Sequence, residues 1–513
     1  MKPMDSRPGI LDSSQLHTSI LPKRQEIVQS NSPSEKQKDK MNVLFIALPK
    51  NISMSGEQTS AIKSPPTTFI WLSGILIEQG HHASILDANT LCLSEEEILQ
   101  EISRQNPDVI GFTVFTSCYP DVLYMAKKVR EMFPHIKIAA GGYHVNSVAT
   151  DFMNEYFDLV FKGEAEFSLL EAMNRLGKGE KSLSGIPGLI FFDTKKSDWV
   201  ETPPADYIAD FDDMPLLPYD MVLKNQYNTW WTVIDPKKHK YMATVTGKGC
   251  PVNCSFCDVT KTEGLYYRAM SPHRVVKEFA HMYFNLGITH IEIRDPFFTI
   301  DIDRVRKISQ GLIDEGIKVE WGCSSTAQRI KDLDLLKLMR KSGCRFIFVG
   351  VESGHPEILK REKNVSPEQV FNAVNLIRKA GMQSHCSFIF GLEGENETTI
   401  NETMDFALAL DPDTASFSVA VPFPGTQLYN SYKEKGYINT YNWKDYGGEK
   451  PVFETEDLCS ELLETHVVKA HRKFYFRPSY ILKRLLSVRS FGEIKFYASM
   501  GYNMIFDAMA YKS

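Results

Sequence analysis

From Asn42 to about residue 180, short apolar runs alternate with stretches of helix length, and this alternation restricts the fold more than any single motif does. The runs are NVLFIAL (42–48), ASILDA (83–88), DVIGFTVF (108–115), KIAAGG (137–142) and DLVFKG (158–163). They are nearly continuous in apolar character, the pattern of strands covered on both faces. Between them, TTFIWLSGILIEQGH, SEEEILQEISRQN and YPDVLYMAKKVREMFP are long enough for helices, and Ser94 with Glu97 has the spacing of a capping box. Strands joined by helices require right-handed crossovers and a doubly wound α/β parallel sheet. Ligands of such sheets bind beyond the carboxyl ends of the strands.

The residues at those ends are small or polar. They are PKNISMSG after the first run, TVFTSCYP around the end of the third, Gly141-Gly142-Tyr143-His144 after the fourth and Gly163-Glu164-Ala165-Glu166 after the fifth. Singly, a Gly-Gly after a strand reads as a turn, and a lone histidine as a surface or satisfied side chain. Together, in this order, they resemble the cobalamin-binding domain that precedes the barrel in a group of radical S-adenosylmethionine enzymes. The resemblance covers residues 42–180 and implies a flavodoxin-like domain that contacts cobalamin through Thr113, Ser117, Gly141, Gly142, His144, Gly163 and Glu164. The Asp-x-His-x-x-Gly motif of other cobalamin proteins is absent after the first strand, which implies cobalamin held without a protein histidine on cobalt. A cobalt ligand from Ser117, Cys118 or Tyr119 stays open.

Residues 181–235 read as a connector, with one strand, GLIFF (188–192), and then TPPADYIADFDDMPLLPYD, whose clustered prolines and acids oppose regular structure. KYMATVTGKGC (240–250) is a strand leading into a loop that holds Cys250, Cys254 and Cys257, three of the nine cysteines. Thiolates at Cys-x₃-Cys-x₂-Cys spacing, on a loop loosened by Gly249, Pro251 and Asn253, can meet on one cubane and leave one iron without a protein ligand. Structural zinc would need a fourth ligand at finger-like spacing, and His273 and Cys323 make no such pair. A zinc deaminase would show His-x-Glu upstream, and none precedes this loop. The odd cysteine count also opposes a disulfide framework.

The triplet, with Phe256 before its last cysteine, resembles the radical S-adenosylmethionine superfamily. That resemblance implies a [4Fe–4S] cluster whose open iron is chelated by S-adenosylmethionine, reductive cleavage to a 5′-deoxyadenosyl radical, and Phe256 beside the adenine. It also implies an external electron donor of the flavodoxin or ferredoxin type.

Residues 236–430 have the rhythm of a partial (β/α)₆ barrel. Its strands are the run before the cysteines, then HIEIRD (290–295), KVEWGCSS (318–325), RFIFVGVES (345–353), CSFIFG (386–391) and ASFSVAVP (415–422). Asp295, Ser324, Arg329, Glu352 and the PFPGT segment (422–426) fall at the strand ends where such a barrel places its chemistry. A carboxylate there is costly to bury without a partner, so Glu352 and Asp295 either serve a ligand or bond backbone amides. By resemblance, Asp295, Ser324, Arg329 and Glu352 are contacts of S-adenosylmethionine. The usual Gly-Gly-Glu motif of the second strand is replaced by RDP.

The first 40 residues, rich in Ser, Pro, Lys and Gln, read as a disordered leader without a signal-peptide run, and folding is expected to begin at Met41. No stretch has the roughly 18 apolar residues of a membrane span, which points to the cytoplasm. A net charge of −6 gives no electrostatic case for a nucleic-acid partner. Residues 431–513 read as a mostly helical cap whose mixture of basic and apolar residues leaves a peripheral membrane contact or a greasy substrate open. The combined expectation is a cobalamin-dependent radical enzyme that methylates an unactivated carbon of a small or lipid-like substrate, with tetrapyrrole-type cyclisation as the alternative. A carbon with neither an acidic proton nor a lone pair is closed to polar displacement, so cofactors must supply the chemistry.

Overall fold

The computed structural model describes residues 39–52, 63–180, 182–229, 238–448 and 450–487. Nearly all of the expected leader, and residues 488–513 of the tail, lie outside these. In the first sheet, β1 (Asn42–Ala47), β2 (His82–Asp87), β3 (Val109–Thr113), β4 (Lys137–Gly141) and β5 (Leu159–Phe161) pair in parallel. Their order, β2-β1-β3-β4-β5, reverses direction between β1 and β3, which makes those two strand ends the switch point of a doubly wound sheet. The capping box forms as its spacing requires. Glu97 N–H donates to Ser94 Oγ (3.3 Å) and Ser94 N–H to the Glu97 carboxylate (2.8 Å).

The connector differs from its sequence expectation. Its strand GLIFF becomes β6 (Leu189–Asp193), which pairs antiparallel with β5 and forms a hairpin with β7 (Asp198–Glu201). The hairpin covers an edge of the first sheet that would otherwise expose unpaired N–H and C=O groups. A lone apolar run does not declare which sheet it will join.

The second sheet begins with β8 (Tyr241–Thr244). After the short ribbon of β9 (Gly247–Lys248) and β10 (Arg268–Ala269) it continues through β11 (His290–Ile293), β12 (Glu320–Ser325), β13 (Cys344–Glu352), β14 (Gln383–Phe390) and β15 (Thr414–Val419). All six main strands are parallel and sequential neighbours, with β8 and β15 at the edges, which is the topology of an open (β/α)₆ barrel. Its helices bury one face each, as Val305, Ile308 and Leu312 do in the helix Ile302–Asp314. The tail helix Ser460–Tyr475 covers the β15 edge, where Tyr475 Oη both accepts from Ala415 N–H (3.0 Å) and donates to its carbonyl (2.5 Å). The two sheets share a seam: Trp71, on the helix Thr67–Glu78 of the first, packs edge-on against Phe211 in the barrel's apolar core. Among the described residues no helix is long and apolar enough to cross a membrane.

Candidate functional site

The cysteine loop is held by specific bonds rather than by regular structure. Gly249 sits at φ +84°, where a Cβ would lie 2.1 Å from the Tyr266 carbonyl, so only glycine fits. Asn253 also takes the left-handed conformation, at φ +54°. Between the cysteines, Ser255 donates through N–H and Oγ to Glu362 (3.0 and 2.8 Å), and its carbonyl accepts from Leu428 N–H (3.0 Å). Two helices, Pro356–Lys363 and Gln427–Glu434, thereby pin the loop's centre.

Lys363, next to Glu362, reaches the same place. Its Nζ lies 2.9 Å from Glu352 and 5.6 Å from the centre of the Phe256 ring. Burial pushes the thiols of Cys250, Cys254 and Cys257 up, that of Cys257 to about 12, and the Lys363 charge pulls each of them back down. An ammonium facing three thiols suits a donor set that must become three thiolates. Among the described residues no three His, Cys, Asp or Glu side chains gather closely enough for a single metal ion. The fit to a cluster rests on the thiols' shared neighbour. Sequence reasoning missed Lys363 because it lies on a helix, away from the strand ends. The demand that buried Glu352 have a partner was the signal that pointed to it.

Glu352 is re-aimed by its own strand. The pairing of β13 with β14 shifts register between Gly350 and Glu352, and Glu352 itself stands at φ +55°. Such a bulge turns the side chain at a cost of about 1 kcal/mol for a non-glycine residue in this region. The carboxylate then meets Lys363 on one oxygen and accepts from Ser387 Oγ (3.2 Å) on the other.

Asp295 is engaged at the base of the cysteine loop. Fully enclosed, it accepts from Thr246 N–H and Oγ1 (2.6 Å each) and from Tyr267 Oη (3.5 Å). Both oxygens are occupied in fixing the backbone just ahead of Cys250, so it holds the loop and offers no free oxygen to a ligand. Burial raises its pKa. Ser324 is half-buried near the end of β12, and Arg329 is exposed on the turn after that strand. Cys250, Cys254, Cys257, Phe256 and Glu352 are the candidates gathered around Lys363.

A cavity of about 530 Å³ lies between the carboxyl ends of the first sheet and the flank of the cysteine loop. Its floor includes Thr113, Gly141, Gly142 and Gly163, and its opposite wall includes Asp258, Val259, Thr262 and Glu263, which come directly after Cys257. Gly163, at φ +79°, has no atom within 4 Å of where a Cβ would point. A floor of small, uncharged residues with open space above glycine fits the approach of a large flat macrocycle to the backbone. None of the described lining residues is His, Cys or Met, and the Lys248 ammonium there is paired with Glu166 (2.6 Å).

Of the expected cobalamin contacts, His144 and Ser117 lie off the cavity lining, and Glu164 lines it with its carboxylate already engaged. His144 lies behind the floor, enclosed by Tyr119, Phe152 and Trp443, with Nδ1 3.3 Å from Thr116 Oγ1 and Nε2 3.2 Å from Asp151. A helix starts at Tyr143, and one residue further turns the side chain by about 100°. Tyr143 therefore lines the cavity while His144 is directed into the fold. Ser117 sits on the turn Thr116–Cys118, away from the lining. Glu164 does line the cavity, but its carboxylate is used by Arg268 (2.7 and 2.9 Å) and by Ile208 N–H (2.8 Å). Tyr143, Lys248 and Glu263 are lining residues that the sequence did not single out.

With this geometry in place, comparison with known proteins is informative. The Radical SAM superfamily matches residues 244–407 and the B12 binding domain matches residues 61–172. An uncharacterised methyltransferase of Pyrococcus horikoshii is 29% identical over 454 residues, spanning 88% of this chain and 96% of that protein. The anaerobic magnesium-protoporphyrin IX monomethyl ester cyclase of Cereibacter sphaeroides is 25% identical over 436 residues, spanning 83% and 69%. The cobalamin-dependent S-adenosylmethionine radical enzyme OxsB, solved with aqua-cobalamin and S-adenosylmethionine bound, shares the fold. Its TM-score is 0.71 over 91% of this chain and 71% of that one, at 16% identity.

Proposed function

We propose that this chain, which belongs to the radical S-adenosylmethionine enzymes that carry a B12-binding domain, transfers a methyl group to a carbon that no polar reaction can reach. The observation that carries this is the shared cavity, floored by the strand ends of the B12-binding domain and walled by the segment after Cys257. A methyl donor and a radical source placed on these two sides act on one enclosed substrate, which is the proximity such a transfer needs. When bound, the cluster with S-adenosylmethionine supplies the hydrogen-abstracting radical, and cobalamin supplies the methyl group.

The residues divide that work. Cys250, Cys254 and Cys257 would hold three irons, with Lys363 balancing their charge. Phe256 and Glu352 would meet S-adenosylmethionine at the loop, with Ser324 and Arg329, at and after the end of β12, as its further contacts. Thr113, Gly141, Gly142 and Gly163 would seat the corrin. Phe115 and Phe423 line the cavity with apolar surface that excludes water. The substrate is a small or lipid-like molecule, and the electrons come from a flavodoxin- or ferredoxin-type donor. A division near residues 180, 235 and 430 accords with these roles, with the β6–β7 hairpin assigned to the first unit.

Methylation is favoured over cyclisation by the extent of the likeness, which spans 96% of the Pyrococcus relative named a methyltransferase and 69%, 78% and 74% of three relatives named cyclases. The test is anaerobic reconstitution with iron, sulfide and hydroxocobalamin, and then turnover with extracts of cells that lack the gene. About four irons per chain and S-adenosylhomocysteine formed with a methylated product are expected. 5′-Deoxyadenosine without S-adenosylhomocysteine would shift the reaction to the cyclase type, and zinc in place of iron would overturn the assignment.

A further inference from the structure

The strand ends that floor the cavity also hold the segment that positions Cys250. Tyr143 stacks on Phe115, with ring centroids 5.5 Å apart, and donates its hydroxyl to Glu263 Oε1 at 2.9 Å. The other oxygen of that carboxylate accepts from Gly249 N–H at 3.1 Å, and Cys250 N–H donates to the Gly264 carbonyl at 3.1 Å. Residues 263–264 thus bind residues 249–250 at two consecutive amides.

Two further ties reach the same segment from the floor. Asn146 accepts from Gly163 N–H (2.6 Å) and donates to Thr262 Oγ1 (3.2 Å). Glu164 holds Arg268, which donates to the Glu263 carbonyl at 2.7 Å. Against these, the open side of the Tyr143–Phe115 pair is bare, since Phe115 is 52% exposed. The ring that receives a ligand on the floor is therefore one hydrogen bond from Glu263 and two from the amide before the first cysteine.

We infer that Tyr143 and Glu263 are positioning residues that relay occupancy of the corrin cavity to the cysteine loop. A macrocycle covering Phe115 and Gly163 removes the freedom of the Phe115–Tyr143 pair. The ordering passes through Glu263 to Gly249, whose left-handed conformation leaves this stretch to be held by hydrogen bonds alone. Sites coupled through shared ordering need no large displacement to influence each other. The inference rests on the cavity being the corrin's seat.

The test is anaerobic hydrogen exchange, read by mass spectrometry, on the full-length protein carrying its cluster, with and without hydroxocobalamin. In the unaltered protein, cobalamin is expected to slow exchange by about threefold or more, both in the floor peptides 111–117 and 139–147 and in the loop peptide 249–257. Tyr143→Phe keeps the ring and its stack but lacks the hydroxyl. It should retain protection at the floor and lose it at the loop, as should Glu263→Ala. Glu263→Gln should restore loop protection, because its amide oxygen can accept from Gly249 while its NH₂ donates to the Tyr143 oxygen. If Glu263→Ala does not fold, Tyr143→Phe carries the test alone. Loop protection undiminished in Tyr143→Phe would overturn the relay, as would floor protection without loop protection in the unaltered protein. Absence of floor protection would overturn the assignment of the corrin seat itself, a separate and recognisable failure.

Discussion

The floor of the cavity and the surroundings of the cysteine loop are made of different materials. The floor at the first sheet includes Thr113, Gly141, Gly142 and Gly163 at its strand ends, which carry neither charge nor bulk. The mouth of the second sheet, behind the cysteine loop and off the cavity lining, holds buried ionisable side chains that each have a partner: Lys363 with Glu352, Glu362 with Ser255, Asp295 with Thr246. A floor of this kind holds a ligand by shape and backbone approach, and small changes there alter fit by degrees. A mouth of paired buried charges is less forgiving, because removing one partner strands the other without solvent.

The largest effect expected is at the mouth. Replacing Cys250, Cys254 or Cys257 with Ala should abolish the cluster, with iron content and S-adenosylmethionine cleavage both lost, while hydroxocobalamin affinity stays within about threefold. Equal loss of both cofactors would mean that the two sides do not assemble separately. Next, Lys363→Met leaves Glu352 and three thiols facing one another without a cation. A stability loss of about 3 kcal/mol, measured by urea unfolding, and reduced cluster content are expected. If the substitution were neutral, the Lys363–Glu352 pair would be incidental to the loop.

The same contrast explains what the sequence disclosed. All the β/α runs were legible because strands covered on both faces leave a continuous apolar signature, and the Cys-x₃-Cys-x₂-Cys spacing was legible because its chemistry is local. Thr113, Gly141, Gly142 and Gly163 were also within reach, since the end of a buried strand is marked by where its apolar run stops. Side-chain direction was not. His144 and Tyr143 are adjacent in sequence, and only the start of the helix Tyr143–Ser147 decides which of them meets the cavity. Asp295 and Glu352 read alike as carboxylates at strand ends. The bulge at Gly350 turns one toward Lys363, and Thr246 takes both oxygens of the other. Tyr143 and Glu263 lie 120 residues apart and nothing local announces their bond, while Lys363 is signalled only indirectly, through the partner that buried Glu352 requires.

His144 sharpens the comparison from the floor's side. If it is part of the framework, His144→Ala should cost about 2 kcal/mol, the range for hollowing out a packed interior. The expected cause is the gap left among Tyr119, Phe152 and Trp443, and the Asp151 carboxylate would keep its bond from Trp443 Nε1 (2.7 Å) but lose that to His144. The absorption spectrum of bound hydroxocobalamin should not change. A spectral shift toward a different axial ligand would instead place this histidine at the metal, and the floor would no longer be a surface that works by shape.

An effect confined to a range of pH tests whether the mouth, rather than the floor, carries the pH dependence. Glu395 lies just beyond β14 and is buried, with one oxygen accepting from Gly391 and Leu392 N–H (2.6 and 3.0 Å) and the other without a partner among the described residues. Burial pushes its carboxyl up to about 7 from an ordinary 4.5, with the two amides and Arg361 pulling it down and Glu362 pushing it up. Because the folded value is the higher one, the folded state binds more protons than the unfolded state between these two pH values. Its stabilising contribution is then complete below about 4.5, falls as pH rises through 7, and levels off above that. The loss attributable to this one group is on the order of 3 kcal/mol, and Glu395→Gln should remove it, so that the difference between the two stability profiles between pH 4.5 and 8 isolates the carboxyl. Arg361 also holds Glu362, the anchor of Ser255 between the cysteines, so ionising Glu395 draws on the same cation that steadies the loop. Retention of the cluster should therefore decline over this pH range in the unaltered protein more than in Glu395→Gln, with cobalamin retention alike in both. A parallel decline in cobalamin retention would show that the charge is felt across the whole cavity and that the division between floor and mouth is too sharp.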